Sequence, residues 1–353
     1  MRRAGVVVMA LGLGCGSGGE QSTGGGGSSG AGATGSGPAA TTAAPDDGGT
    51  GSGGADGTSG PGPGTSGSSE GGPAGTGSSS DDGPVPRGSG SIRFFGNGGL
   101  YDDRVLITLD DPATTEPGPA VDVGDEDFTI ELWIAPEPDG NPNPAISCGS
   151  SNDWVTTNII VDRDRHSQPP SFGLGIGGGV LVWAVQGEFG DPWSMCGTTN
   201  VLDGAWHHVA VQRRRSDGYL WLYVDGQLDA EVDGPDGDIS YPDDGQPMDV
   251  CPGGVCDYSD PFLAIGAEKH GYEGISYDGL VDELHISTTL RYDADFAPPT
   301  GPFVADANTV GLYHFDDGAG TVAADASGNG VDGALMVGGR PEGPQWSDEH
   351  PWR

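Results

Sequence analysis

The sequence predicts an all-β fold, a two-sheet antiparallel sandwich or jelly roll preceded by a disordered linker. Three observations carry this. After residue 90, short runs of alternating apolar residues recur between clusters of Gly, Pro, Asp and Asn, as strands and turns do. No stretch sustains the apolar period of an amphipathic helix. Ser216-Asp217-Gly218 stands between two strand-like runs, and its Asp-Gly pair marks a hairpin turn.

Composition sets the outer limits. The chain has 353 residues and 68 glycines, many of them before residue 90, so the foldable part is one large all-β domain or two small ones. Fifty-two Asp and Glu against 14 Lys and Arg leave a net charge of −38. Such a surface repels phosphate backbones and anionic lipid, which argues against nucleic acid as a partner, and it suits divalent cations.

From the start of the chain, residues 1–14 read as an export signal: Met1-Arg2-Arg3 is a short positive segment and Ala4 to Gly14 an apolar one too short to span a bilayer. The stretch ends "LGLGC" and resembles a bacterial lipoprotein signal, in which Cys15 is the acylated residue. Gly12 stands where that signal usually has Leu, and an ordinary secretory signal is the alternative. An acylated Cys15 would anchor the chain at the bacterial cell surface or outer membrane, the only membrane contact expected; the alternative signal leaves it secreted. Residues 15–90 are Gly, Ser, Thr, Ala and Pro with scattered Asp, a composition that cannot form a core. A flexible chain of about 75 residues reaches roughly 50 Å, so this segment is a spacer.

Residues 91–353 carry the domain. Four further cysteines fit an oxidising compartment. "CPGGVC" closes a tight loop between Cys251 and Cys256, which leaves Cys148 to pair with Cys196; a four-thiolate metal site is the rival, without CxxC pairs to support it. In "DFTIELWIAP", Phe128, Ile130, Leu132 and Ile134 share one face and Thr129, Glu131 and Trp133 the other. "GGGVLVWAVQG" is a strand bounded by glycines. "HVAVQRRR" and "YLWLYVDG" flank the Asp-Gly turn; Leu220, Leu222 and Val224 share one face, Trp221 and Tyr223 the other. "PFLAIGAE" and "YDGLVDELHIST" complete the run.

Within these strands His207 and His208 are neighbours whose rings diverge, so they cannot chelate one metal together and read as structural. Arg213, Arg214 and Arg215 fall at a strand end, where they would be solvated and meet carboxylates, or a sulfated or uronic glycan. Trp133, Trp221 and Tyr223 lie opposite the apolar faces of their strands and offer stacking surfaces for sugar rings, with Arg213 beside them as a polar contact. The competing reading is that a loop such as Pro136 to Trp154 covers them. No GxSxG-type nucleophile elbow is present.

"FTIELWI", "DGAWHHVAVQRRRSDGYLWLYVDGQ", "PFLAIGA" and "YDGLVDELHIST" resemble the successive strands of laminin G-like, concanavalin A-like domains. "RFFGNGGLYDDRVLI" resembles the first strand more weakly. "GLYHFDDGAGTVAADASGNGVDGALMVGG" resembles a segment usually found ahead of the others; here it comes last and is expected to pair back into the same sandwich. The resemblance implies a concanavalin A-like jelly roll and a binding module for glycans or extracellular proteins. Some relatives of the fold are glycoside hydrolases with alternating carboxylates on one strand. Here Asp282 and Glu283 are adjacent and, on a regular strand, point to opposite faces, so no enzymatic activity is expected.

"DASGNGVDG" groups Asp325, Asn329 and Asp332 as oxygen ligands for calcium, and the family resemblance adds Asp282; an Asx-rich turn without an ion is the alternative. Three functions follow from the sequence: a surface lipoprotein binding a glycan or protein, a structural or adhesive envelope module, and a divergent glycoside hydrolase.

Overall fold

Period-two patterning becomes two antiparallel sheets in the computed structural model, which describes residues 88–97, 102–111, 114–165, 168–243, 261–271 and 274–352. The signal-like segment, Cys15, nearly all of the 15–90 linker, Cys251 and Cys256 lie outside these residues. Among the described residues the chain forms β1 (Ser91–Phe95), β2 (Arg104–Thr108), β3 (Phe128–Pro136), β4 (Asn158–Arg163), β5 (Ser171–Gly177), β6 (Val180–Gln186), β7 (Pro192–Asn200) and β8 (His207–Arg213). It continues with β9 (Tyr219–Val224), β10 (Gln227–Asp233), β11 (Phe262–Ile265), β12 (Asp278–Ser287), β13 (Thr309–Tyr313), β14 (Val322–Ala323), β15 (Gly333–Met336) and β16 (Gln345–Ser347). One sheet runs β10-β9-β8-β3-β12-β1-β16, with β13 also paired to β12. The other runs β14-β15-β2-β11-β4-β5-β6-β7.

The predicted inner faces meet. Phe128, Ile130, Leu132 and Ile134 of β3, with Leu220, Leu222 and Val224 of β9, join one core with Leu174, Trp183 and Ile265 of the second sheet. Phe128, Phe172 and Trp183 pack as a triad with ring centroids 5.6–6.3 Å apart. The closing segment pairs back as expected: β13 joins the first sheet and β15 pairs with β2 in the second. Cys148 and Cys196 form the expected disulfide, tying the loop before β4 to β7 across 48 residues.

Two local features position the rest. At the β8–β9 hairpin Gly218 has φ +71° and donates to Arg214 O, while Arg214 N donates to Tyr219 O. The second is a β-bulge in β12. Asp282 lies opposite Trp133 but His285 lies opposite Glu131, so β12 holds one residue more than β3 between those pairs. Glu283 takes up the excess at φ +53°. Val281 and Leu284 both enter the core, and Asp282 and Glu283 between them turn to the outer face together. The expectation that adjacent carboxylates diverge fails because it assumed an unbroken pleat.

That outer face is not open to solvent. Residues 288–308, after β12, fold back across it, setting Tyr292 and Phe296 against Tyr223 and Phe303 against His208 and His285. Residues 348–352 add Trp352 against Trp133.

A Cβ at Gly218 would come within 2.3 Å of the Gly234 and Pro235 carbonyl oxygens, on top of the positive φ. Gly218→Ala is therefore expected to cost about 1–3 kcal/mol, read as a lowered urea midpoint with unchanged m value.

Candidate functional site

The outer face of the first sheet is organised around Glu131, which is 1% exposed on β3. Its carboxylate meets His208 Nε2 at 3.2 Å, His285 Nδ1 at 2.9 Å and the Tyr292 hydroxyl at 2.6 Å, with Arg291 Nε 3.7 Å away. Burial opposes ionisation of Glu131, but the hydrogen bonds from His208 and His285 outweigh it and draw the carboxyl down to about 2. Beside it the Thr129 hydroxyl donates to Thr289 O, and Gln212 Oε1 accepts from the Arg291 and Tyr292 amides. Arg291 forks onto Asp306 at 3.0 and 3.1 Å. The bonds to Glu131, Thr129 and Gln212 fasten the covering segment to the sheet, and the Arg291–Asp306 fork braces it within itself.

The predicted aromatics separate under this cover. Tyr223 is 1% exposed beneath Tyr292 and Phe296, and Trp133 is 8% exposed with Trp352 edge-on at 5.1 Å. The covering loop is 288–308, not Pro136 to Trp154. Trp221 stays half-exposed, 4.7 Å from the Tyr219 ring, with the Arg214 guanidinium 5.6 Å from Tyr219 and 5.1 Å from Trp221. Arg214 is held by both oxygens of Asp217.

Arg213 departs from the expected solvated arginines. It is fully buried and donates to Pro235 O and Gly237 O, and desolvation lowers it to about 10. The last residue of β8 is still inside the sheet, so its stem cannot reach solvent. His207 and His208 diverge as expected. His207 bridges Asp203 and Asp225, and these carboxylates raise it above the ordinary histidine range, the Asp225 hydrogen bond first.

Asp325, Asn329 and Asp332 share one loop, but Asp282 stands apart on β12. The Asp325 carboxylate accepts the Leu312, Ser327, Gly330 and Val331 amides and the Ser327 hydroxyl. Asp332 accepts the Asp325 amide, and Asn329 donates to Val310 O. Lone pairs so committed do not fit calcium without giving up the turn. Among the described residues no three His, Cys, Asp or Glu side chains are grouped to hold an ion.

Sequence reasoning passed over Tyr219, and it set Arg213 rather than Arg214 beside the aromatics, although it expected the arginines to meet carboxylates as Arg214 does. Tyr219 shares the alternation of Trp221, so period two alone marks it. Arg214 is placed by the hairpin turn, which brings it back over both rings.

The sequence profile described as the concanavalin A-like lectin/glucanases superfamily matches residues 108–295. Among solved structures, a candidate carbohydrate binding protein from Bacteroides ovatus is 17% identical, with a TM-score of 0.41 over 70% of this chain and 58% of its own. The chain thus spans little more than half of that protein. A native heptameric SAP-like pentraxin from Limulus polyphemus is 15% identical, with a TM-score of 0.39 over 64% of this chain and 95% of its own. Domains LG4-5 of the mouse laminin alpha1 chain are 14% identical, with a TM-score of 0.35 over 59% of this chain and 44% of theirs. No curated protein matches the sequence.

Two buried carboxyls give opposite pH signatures. Glu131, lowered to about 2, contributes stability above its unfolded value that is lost as pH falls from about 4.5 toward 2. Asp282 is pushed up to about 9 by burial, then by the charges of Glu283 and Asp316; it is neutral when folded, so its contribution is lost as pH rises from about 4 toward 9. Urea midpoints between pH 3 and 9 read both effects. Glu131→Gln should lose about 3–5 kcal/mol at pH 7 and flatten the acid limb. Asp282→Asn should match the wild type at pH 4 and exceed it at pH 8; parallel curves would exclude a buried neutral carboxyl.

Proposed function

The chain belongs to the concanavalin A-like lectin/glucanases superfamily, and on that footing we propose that it is a non-catalytic module binding carbohydrate at the cell surface. One observation carries the reading: Tyr219 and Trp221 stand side by side, part-exposed on β9, with an arginine over both. Sugar rings stack their C–H faces on such rings where Arg214 leaves them open, and the guanidinium over them meets ring hydroxyls. Glu231, opposite Trp221 on β10, adds a hydrogen-bond acceptor. The non-catalytic reading is supported by Asp282 and Glu283, both fully buried on the outer face, with Glu283 committed to His314 Nδ1 and the Phe303 amide.

The cell-surface part rests on Met1 to Cys15 and the Gly-rich spacer after it. The basic start, the apolar run and the cysteine together propose export and acylation at Cys15, and the spacer holds the sandwich away from the membrane. Adhesion to a glycan-bearing surface is the role this arrangement suits.

Two experiments test the reading. On a glycan array the full chain is expected to bind a restricted set, with Trp221→Ala and Tyr219→Ala each weakening binding roughly tenfold, about 1.4 kcal/mol; an array without hits sinks the carbohydrate ligand and leaves a protein one. Cells fed a labelled fatty acid should label the wild-type chain and not Cys15→Ser, and equal labelling of both would remove the anchor.

A further inference from the structure

The outer face of the first sheet holds a row of buried polar atoms that the protein does not satisfy. Ser347 of β16 pairs with Ser91 of β1. The β1–β12 register, Ile92 with Val281, places Ser91 beside Asp282. Asp282 pairs with Trp133, and Trp133 with His208. Ser91, Asp282 and His208 are 0% exposed and Trp133 8%. Ser91 Oγ, Asp282 Oδ2, Trp133 Nε1 and His208 Nδ1 have no hydrogen-bond partner in the protein. One such group costs about 1–3 kcal/mol, so four in register on consecutive strands is a built feature. At a strand spacing of about 4.8 Å the row spans roughly 14 Å.

The chemistry of the row selects its ligand. Trp133 Nε1 only donates. His208 Nε2–H donates a hydrogen bond to the ionised Glu131, and in that tautomer Nδ1 is an acceptor. Ser91 does both, and so does Asp282, which is neutral when folded and keeps Oδ2 as its hydroxyl after Oδ1 accepts the Glu283 amide. Donors and acceptors are therefore mixed along the row, which suits hydroxyl groups. A cation is repelled by the indole N–H, and an anion by the charges of Glu283 and Asp316 that also hold Asp282 neutral.

The row has an entrance at one end and Trp352 over its middle, while its far end, His208, lies under Phe296 and Phe303 of the 288–308 segment. A cleft of ≈ 520 Å³ at the β16 edge is lined by Ser89, Gly90, Arg93, Asp316, Trp346 and Ser347, so it opens where the row begins. Farther in, Trp352 lies edge-on over Trp133 at 5.1 Å and 80°, and its own Nε1 is unpartnered. Residues 348–352 contribute no strand to either sheet.

We propose that the Ser91, Asp282 and Trp133 stretch of this row is a second saccharide site, for a neutral oligosaccharide entering from the β16 edge, with Trp352 as a latch on the ring face that the sugar takes. The site shares the ligand class of the Tyr219–Trp221 platform and none of its residues.

The test titrates the full chain with cellotriose, maltotriose and mannotriose, and with trigalacturonate as the anionic control. Calorimetry gives affinity, and the indole N–H resonance of Trp133, assigned as the one missing in Trp133→Phe, reports the site. One neutral trisaccharide should shift that resonance, and Trp352→Ala should bind it at least fivefold more tightly, because the open fraction rises. Ser91→Ala and Trp133→Phe should each lose at least threefold, trigalacturonate should not bind, and Trp221→Ala should leave the Trp133 shift in place even if the platform reading fails. A Trp133 resonance unmoved by all three sugars, in wild type and Trp352→Ala, overturns the proposal. If Trp352→Ala does not fold, Trp352→Phe and the wild type at higher sugar concentration carry the same readout, and an unmoved resonance there overturns it equally.

Discussion

The structure turns on a strand that is buried on both faces. β3 sits between β8 and β12, and its Phe128, Ile130, Leu132 and Ile134 supply the core in the usual way. Its other face carries Thr129, Glu131 and Trp133, all of them covered. A buried carboxylate is tolerated only when its charge and lone pairs are met. The ring of His208, His285, Tyr292 and Arg291 around Glu131 meets them, and Tyr292 and Arg291 come from the covering segment itself. Glu131 is thus the reason residues 288–308 lie where they do.

That cover sorts the aromatics by their place on the sheet. Tyr223 and Trp221 leave β9 on the same face, yet one is sealed beneath Tyr292 and Phe296 while the other keeps an open ring beside Tyr219. The dividing line is where the segment crosses. Trp133 falls under a second cover, residues 348–352, which meets it through a ring contact. The two covers differ in kind: the first is fastened by charge-assisted bonds to Glu131 and braced within itself by the Arg291–Asp306 pair, the second is met at Trp133 by an edge-on indole.

The β12 bulge shows how one extra residue changes the chemistry of a face. A regular strand would have sent Asp282 and Glu283 to opposite sides. With Glu283 at positive φ both are outside the core, close enough to raise Asp282, and the His314 ring is bonded to Glu283. Asp282 is left with one oxygen satisfied by the Glu283 amide and one facing the row.

The sequence by itself determined the two-sheet class, the inner faces of β3 and β9, the Asp-Gly hairpin, the divergence of His207 and His208 and the Cys148–Cys196 pairing. These follow from alternation, turn chemistry and cysteine spacing, which act over a few residues or leave few combinations. Tertiary structure decided the burial of Arg213, the saturation of Asp325 by amides, the shared face of Asp282 and Glu283, and which tryptophan stays open. The open tryptophan, the buried arginine and the shared face depend on segments far apart in the chain, Tyr223 with Tyr292, Trp133 with Trp352, Arg213 with Pro235 and Asp282 with Trp133, whereas Asp325 is saturated chiefly by its own turn. Alternation says which side of a strand a residue leaves by; what lies on that side is set by segments that carry no period of their own.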